Sequence, residues 1–233
     1  RLSMGKLISQ PLKEKIINYN IEASNMTNMI ALLTSCARYD LLGRTLKSLE
    51  FLPQKLDIQI LDDVDSDEIQ HSTDALFTMS SKRHTILMQH PDGISRKGQH
   101  AALEKLICEV PESVKYALFL EDDWEFNNSY DWIAESIAIM ESNPEIIKVL
   151  ARDGSPHPCI HSHVSESGRT YGLLAPWVNE NILWHGFSWN PGVTRIDLLR
   201  QFLPFPKYEQ QLAERIYYTG YKVAEISPVY KHI

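Results

Sequence analysis

Cysteine is scarce: Cys36, Cys108 and Cys159 are the only three in 233 residues. An odd and widely spaced set does not make a disulfide framework, and it fits reduced thiols in a cytosolic protein. No apolar run reaches the roughly 20 residues that a membrane helix needs. The segment Met29 to Cys36 is apolar but short and internal, and no signal peptide is recognisable. Basic charge is in deficit as well, since 23 Lys and Arg against 30 Asp and Glu leave a formal net charge of −7. That excludes the broad basic face required by nucleic acid or an anionic membrane, while leaving room for a local phosphate pocket. Internal repeats and low-complexity tracts are missing too. The sequons Asn25-Met26-Thr27 and Asn127-Asn128-Ser129 are read as unused.

What is present is ordinary for a globular chain, with 43% hydrophobic and 23% charged residues, enough for one domain with a sizeable core. Residues 1–28 are polar and mixed and are read as an N-terminal extension; residues 29–233 are read as one domain. Buried strands are expected at Met29–Thr34, Leu56–Leu61, His84–Gln89, Tyr116–Leu120 and Ile146–Ala151. Helices are expected at Tyr39–Leu52 with Asp40 as N-cap, at Ile69–Met79, at Lys97–Glu109 and at Tyr130–Met140. Residues 152–182, rich in Gly, Pro, Ser and His, read as a long functional loop region. Trp184–Trp189 is strand-like, Thr194–Phe202 and Tyr208–Thr219 are helical, and Lys222–Ile226 is a last short strand. Regular alternation of strand and helix to about residue 150 predicts an α/β fold with a mostly parallel central sheet flanked by helices.

In such a sheet ligands sit at the carboxyl ends of the strands. The polar clusters fall there: Thr34-Ser35-Cys36-Ala37-Arg38, then Asp62-Asp63, then Glu121-Asp122-Asp123. An apolar run that stops in three carboxylates is a poor core but a good way to present acid groups. Strand alternation would aim Glu121 and Asp123 the same way, as hard oxygen ligands for Mg²⁺ or Mn²⁺. Arg38 offers a fork for phosphate or base. Ser95-Arg96-Lys97-Gly98-Gln99 would set amides and the cations Arg96 and Lys97 before a helix, toward a diphosphate. His157-Pro158-Cys159-Ile160-His161-Ser162-His163 holds four ligands that suit zinc, but the spacing is unlike finger or ribbon patterns, and a flexible acceptor loop is preferred.

The ordered set resembles the GT-A (Rossmann-like) fold of nucleotide-sugar glycosyltransferases, most of all the family 2 group. It consists of Leu32–Leu42 with Thr45-Leu46-Lys47-Ser48-Leu49, Ile60-Leu61-Asp62-Asp63, Leu118–Asp123, Gly186–Asn190, Glu209–Arg215 with Gly220–Val223, and Val229–Ile233. The likeness covers about residues 29–233 and implies a donor-binding half, about 29–125, and an acceptor half, about 126–233 with a small acceptor-side subregion.

It also implies residue roles. Thr34 and Arg38 would contact the nucleotide, Asp62 or Asp63 the base or ribose, and Asp122 would lie with them in the donor site. Glu121 and Asp123 stand at the carboxylate–metal motif; the usual first residue there is Asp, and Glu121 departs from it. His232 matches a third metal ligand of some relatives. Glu209 stands at the acidic motif and would be the general base of an inverting enzyme, with Asp153 in reserve. Trp184, Phe187, Trp189 and Trp177 are candidates for an acceptor wall, with core packing expected for at least two of the four.

The expected activity is metal-dependent transfer of a sugar from a nucleoside-diphosphate sugar, a UDP-sugar favoured, to a hydroxyl of a glycan or glycoconjugate. The expected location is cytoplasmic, with any membrane attachment made through regions outside this chain, which is left open to be part of a longer multidomain one. The alternatives are a sugar-nucleotide nucleotidyltransferase and a non-catalytic nucleotide- or glycan-binding module. The first should carry a glycine-rich loop after the first strand, whereas this sequence has no glycine between Thr34 and Gly43.

Overall fold

The structure is a computed structural model describing residues 29–64, 71, 74–75, 84–89, 98–126, 131–152, 159–179 and 182–232. The expected N-terminal extension, both sequons, most of the helix expected at Ile69–Met79, and Arg96, Lys97 and Asp153 lie outside these residues.

The strands are β1 (Met29–Ser35), β2 (Ile58–Asp63), β3 (His84–Gln89), β4 (Tyr116–Glu121), β5 (Trp124–Phe126), β6 (Ile146–Arg152), β7 (Cys159–Val164), β8 (Thr170–Leu174), β9 (Trp177–Asn179), β10 (Ile182–Trp184), β11 (Gly192–Arg195) and β12 (Lys222–His232). The helices are α1 (Tyr39–Leu49), α2 (Gln99–Glu109), α3 (Trp132–Ser142), the single turn α4 (Ile196–Leu199) and α5 (Glu209–Tyr218). One sheet runs in the order β3-β2-β1-β4-β11-β6-β12-β8-β7, with β5 paired to β12, and β9 and β10 form a separate hairpin. The strands β3, β2, β1 and β4 are parallel. Antiparallel β11 is wedged between β4 and β6, and β12 is parallel to β6. The carboxyl ends of β1, β2, β4, β6 and β12 therefore share one edge.

Alternation along β1 and β4 splits the core in two. Ala31, Leu33, Leu118 and Leu120 point to the face covered by α1 and α3, where Leu42, Leu46, Trp132, Ile133 and Met140 meet them. Leu32, Ala117 and Phe119 point to the opposite face, covered by α2 and α5 through Leu103, Leu106, Leu212 and Ile216. A strand buried on both sides must be apolar throughout, which is why β1 reads as an unbroken run rather than an alternating one.

The expectation of a long loop over 152–182 is corrected. Cys159–Val164 and Thr170–Leu174 form an antiparallel pair extending the sheet, because alternate side chains such as Tyr171 and Leu173 bury against it. Histidines here serve a strand, not a loop: His163 stacks on Tyr171 with ring centroids 5.3 Å apart. The short last strand proves to be eleven residues long. Gly192–Arg195 is strand, not the start of a helix, and Trp184–Trp189 is strand only as far as Trp184. Asp40 lies inside the first turn of α1, where it complements the helix dipole, while Arg38 takes the N-cap position.

Gly192 explains how β11 fits. A Cβ there would lie 2.4 Å from the Val149 carbonyl oxygen and 3.1 Å from Leu150 Cα, both backbone atoms of β6. Gly192→Ala is expected to push β11 off β6 and cost about 2–3 kcal/mol, read as a fall in thermal midpoint; an unchanged midpoint would show that the ladder can yield.

Candidate active site

The turn after β1 is built by two aspartates that reach across from neighbouring strands. Asp62, with no exposed surface, accepts from the Ala37 amide at 3.0 Å and the Tyr39 hydroxyl at 2.9 Å. Ala37 sits at φ +59°, a left-handed conformation uncommon for a residue with a Cβ. The fixed carboxylate holds it there. Asp63 plays a similar part for α2, accepting from the Gly98 amide at 2.7 Å.

Asp122 is also fully buried. It accepts from Ser35 Oγ at 3.1 Å, the Cys36 amide at 3.3 Å and Arg38 Nε at 3.2 Å, with a further contact to Arg38 Nη2. Its own carbonyl accepts from Thr45 Oγ1 at 2.7 Å. Asp62 and Asp122, expected in the donor site, are both enclosed here and engaged in holding the loop that carries Arg38. Thr34 is likewise buried, on β1.

Arg38 is the exposed product of this scaffolding. Its side chain is 45% exposed, and Nη1 reaches Asp123 Oδ2 at 2.8 Å. The same Oδ2 lies 3.4 Å from His232 Nε2 on β12, brought in by pairing of β12 with β5. Asp123 Oδ1 is buried and accepts no hydrogen bond among the described residues. Beside them, residues Ala37 to Leu41 together with His71 and Ala75 line an open cavity of about 540 Å³. Its Tyr39 and His71 rings meet edge to face, 5.2 Å apart.

Glu121 does not join Asp123 as the alternation argument expected. The strand ends at Glu121 and residues 122–123 form a turn, so strand alternation does not govern the pair. Glu121 accepts from Gln99 Nε2 at 2.8 Å and Trp124 Nε1 at 3.4 Å. Burial, then the charge of Asp123, push its carboxyl up. Among the described residues no group of three His, Cys, Asp or Glu side chains converges as a metal-holding set; His157 of the histidine-rich segment lies outside those residues. Asp123 with His232 does fit a divalent cation: one imidazole nitrogen, one carboxylate, and a buried oxygen left without a partner.

Glu209 opens α5 and faces the sheet. Its Oε1 accepts from the Trp189 amide, and burial pushes its carboxyl up. Lys148 and Glu121 are the charges that act on it. Trp189 is pinned in turn: its indole Nε1 donates to His100 Nε2 at 3.2 Å, while His100 Nδ1 donates to the Pro206 carbonyl at 2.8 Å.

Of the four candidate wall aromatics, two are core residues, as expected for at least two. Phe187 and Trp189 are 0% and 2% exposed, and their rings pack at 5.0 Å in the core. Trp184 pairs with Trp177 across the β9–β10 hairpin, rings 6.2 Å apart. The neighbouring His185 packs on Tyr217 and Tyr218 in the last turn of α5, about 13 Å along the axis from Glu209 in the first. Lys148 and His100 were missed. A lone lysine inside Ile146-Ile147-Lys148-Val149-Leu150-Ala151 was the available signal.

No family model matches this chain, and no curated protein matches it in sequence. Solved structures match in shape. The mannosyltransferase PcManGT from Pyrobaculum calidifontis, in complex with GDP-Man and Mn²⁺, superposes with a TM-score of 0.57 at 14% identity, over 86% of this chain and 54% of its own. Residues 1–349 of S. aureus TarS in complex with UDP give 0.59 at 12% identity, over 87% and 59%. The 4-diphosphocytidyl-2C-methyl-D-erythritol synthase of Anaerococcus prevotii gives 0.51 at 10% identity, over 85% and 86%. The chain therefore spans just over half the length of the first two and most of the third. Among the described residues no helix is long and apolar enough to cross a membrane. The parallel strands with their acidic carboxyl edge and the inserted antiparallel β11 give this chain the GT-A-like α/β fold that these glycosyltransferases and the nucleotidyltransferase have in common.

Proposed function

We propose that the chain transfers a sugar from a nucleoside-diphosphate sugar to a hydroxyl acceptor with inversion, Glu209 acting as general base. The observation that carries this reading is the pairing, along one sheet edge, of a diphosphate-type site and a buried carboxylate. Arg38, Asp123 and His232 make the first. Glu209 makes the second, linked to the first through the field of Glu121.

The cavity beside Tyr39 and His71 is of a size for a nucleoside, and Arg38 at its rim can turn from Asp123 to a phosphate oxygen. Asp62 or Asp63, at the end of β2, is the candidate for the base or ribose. Asp123 and His232 would hold Mn²⁺ or Mg²⁺, which supplies charge stabilisation to the departing diphosphate. Glu209 takes the proton of the attacking hydroxyl: Trp189 fixes one carboxylate oxygen, and Oε2 accepts no hydrogen bond among the described residues. Two proteins of the same fold bind GDP-Man with Mn²⁺ and UDP, which supports a donor of this class. The acceptor half, and Asp153, Arg96 and Lys97 as supporting residues, remain part of the proposal.

Calorimetric titration with UDP-, GDP-, dTDP- and CMP-sugars, with and without Mn²⁺, tests it. One donor should bind at least tenfold more tightly with the metal, and Asp123→Ala should remove the difference. Equal binding with and without metal would overturn the cation site. Pyrophosphate release from a nucleoside triphosphate would move the reading to a nucleotidyltransferase, the class favoured by near full-length overlap with the erythritol synthase.

A further inference from the structure

Lys148 has no part in the chemistry above, yet its setting is unusual. It is the single charged side chain in the apolar run of β6 and has no exposed surface. Its Nζ lies 5.4 Å from the ring centroid of Phe119, 5.3 Å from that of Phe187 and 5.9 Å from that of Trp189. It makes no hydrogen bond among the described residues. Its Cε passes so close to β11 that a Cβ on Gly192 would stand 3.1 Å from it. An unpartnered buried amine is expensive, and a chain that needed only volume here could use Leu or Met.

Trp189 joins Lys148 to the proposed base. Its ring covers the amine, and its amide holds Glu209 Oε1. The charges that act on Lys148 are Glu209 from α5 and Glu121 from β4; those that act on Glu209 are Lys148 and Glu121. His100 of α2 is the remaining titratable neighbour, bound to the other side of the Trp189 indole. With water excluded by three rings, the field of an ammonium here is weakly screened.

We infer that Lys148 is a positioning residue for Glu209: a buried cation, kept from direct hydrogen bonding by its aromatic sheath, whose field holds the Glu209 carboxylate ionised against Glu121. The inference rests on the reading of Glu209 as base. Its logic is that a contact ion pair would occupy the oxygen needed by the acceptor, whereas a cation one residue away stabilises the charge and leaves Oε2 open. Burial lowers Lys148 to about 7, so the support is present in the acid range where Glu209 titrates and weakens above it.

The test uses the Trp189 amide as a reporter, because its N–H donates to Glu209 and its ¹⁵N and ¹H shifts follow the state of that carboxylate without any donor bound. In wild-type protein the amide should titrate with Glu209. In Lys148→Met the midpoint should rise by about one pH unit, and the acid limb of kcat/KM should rise with it. An unmoved midpoint overturns the inference. A second measurement needs no variant: the Lys148 ¹³Cε resonance should titrate in wild-type protein, and the Trp189 amide should show a second inflection at the same pH. Its absence overturns the inference equally. Glu209→Gln separates the two readings. If it retains transferase activity, Glu209 is not the base even where the reporter moves; if it is inactive while the reporter stays still, the base stands and the role of Lys148 falls.

Discussion

The Glu209→Gln protein is expected to turn over about a thousandfold more slowly than wild type while folding at least as stably. A glutamine keeps the oxygen that accepts the Trp189 amide, so geometry is preserved and only the ability to take a proton is lost. Donor affinity should be unchanged, since Glu209 lies on the acceptor side of the proposed reaction. The stability gain follows from linkage. Burial raises the folded-state pKa of Glu209, so its contribution to stability is fully present below the unfolded-state value and is lost as pH rises through the folded one. At neutral pH the wild type carries the cost of a buried carboxylate and the amide does not; the gain should be about 1 kcal/mol, read by denaturant unfolding. In wild type the activity should rise with pH along a limb displaced above the ordinary carboxylate range. Slow turnover with lowered stability would instead mark Glu209 as a structural residue.

Lys148→Met should give the largest change in stability, and in an unusual direction. Lys148 titrates near 7 in the folded chain against 10.5 ordinarily, with desolvation as the dominant cause. A depressed folded-state pKa means stability that is present above the unfolded-state value and lost as pH falls through the folded one. The penalty is therefore complete below about pH 7 and is released progressively toward pH 10.5. Methionine keeps the unbranched length and removes the charge, so at pH 6 the variant should be more stable by about 3 kcal/mol, allowing for the attraction of the three rings. The advantage should shrink as pH rises toward 10. Equal stability of the two proteins at pH 6 would mean that the ammonium is better compensated than its surroundings indicate. A residue retained at such cost is expected to serve activity, and the two experiments together ask whether it does.

Much of this was legible in the chain. The parallel strands β1, β2, β4 and β6 announce themselves because parallel strands covered on both faces must be largely apolar, and Tyr39–Leu49 keeps helical spacing because one side lies on the sheet. Acid clusters at strand ends locate the edge where Arg38, Asp123 and His232 meet. What failed did so for local reasons. Glu121 and Asp123 look like an alternating pair only while the strand continues, and it stops between them. Asp62 and Asp122 look available because aspartate at a turn is usually solvated; here the turn folds over them and takes their oxygens. Phe187 and Trp189 carry no mark separating a core ring from a sugar-stacking one. The strands Cys159–Val164 and Thr170–Leu174 were hidden by Ser, His and Gly, which the exposed edge strand tolerates at His161 and Ser162.

His232 and Asp123 are separated by more than a hundred residues, and the strand carrying His232 lies between β6 and β8 and pairs with β5 in the finished sheet. During synthesis, the parallel strands β1 to β4 can pair while the rest is still being made. At that stage Arg38 already has Asp122 and Asp123 as partners, so the acidic edge is neutralised within the early-folding half. The imidazole arrives last, with β12. On the proposed reading, a chain caught before that docking would have the loop of Arg38 in place but lack the His232 side of the proposed cation site, so activity would depend on the late, long-range strand pairing.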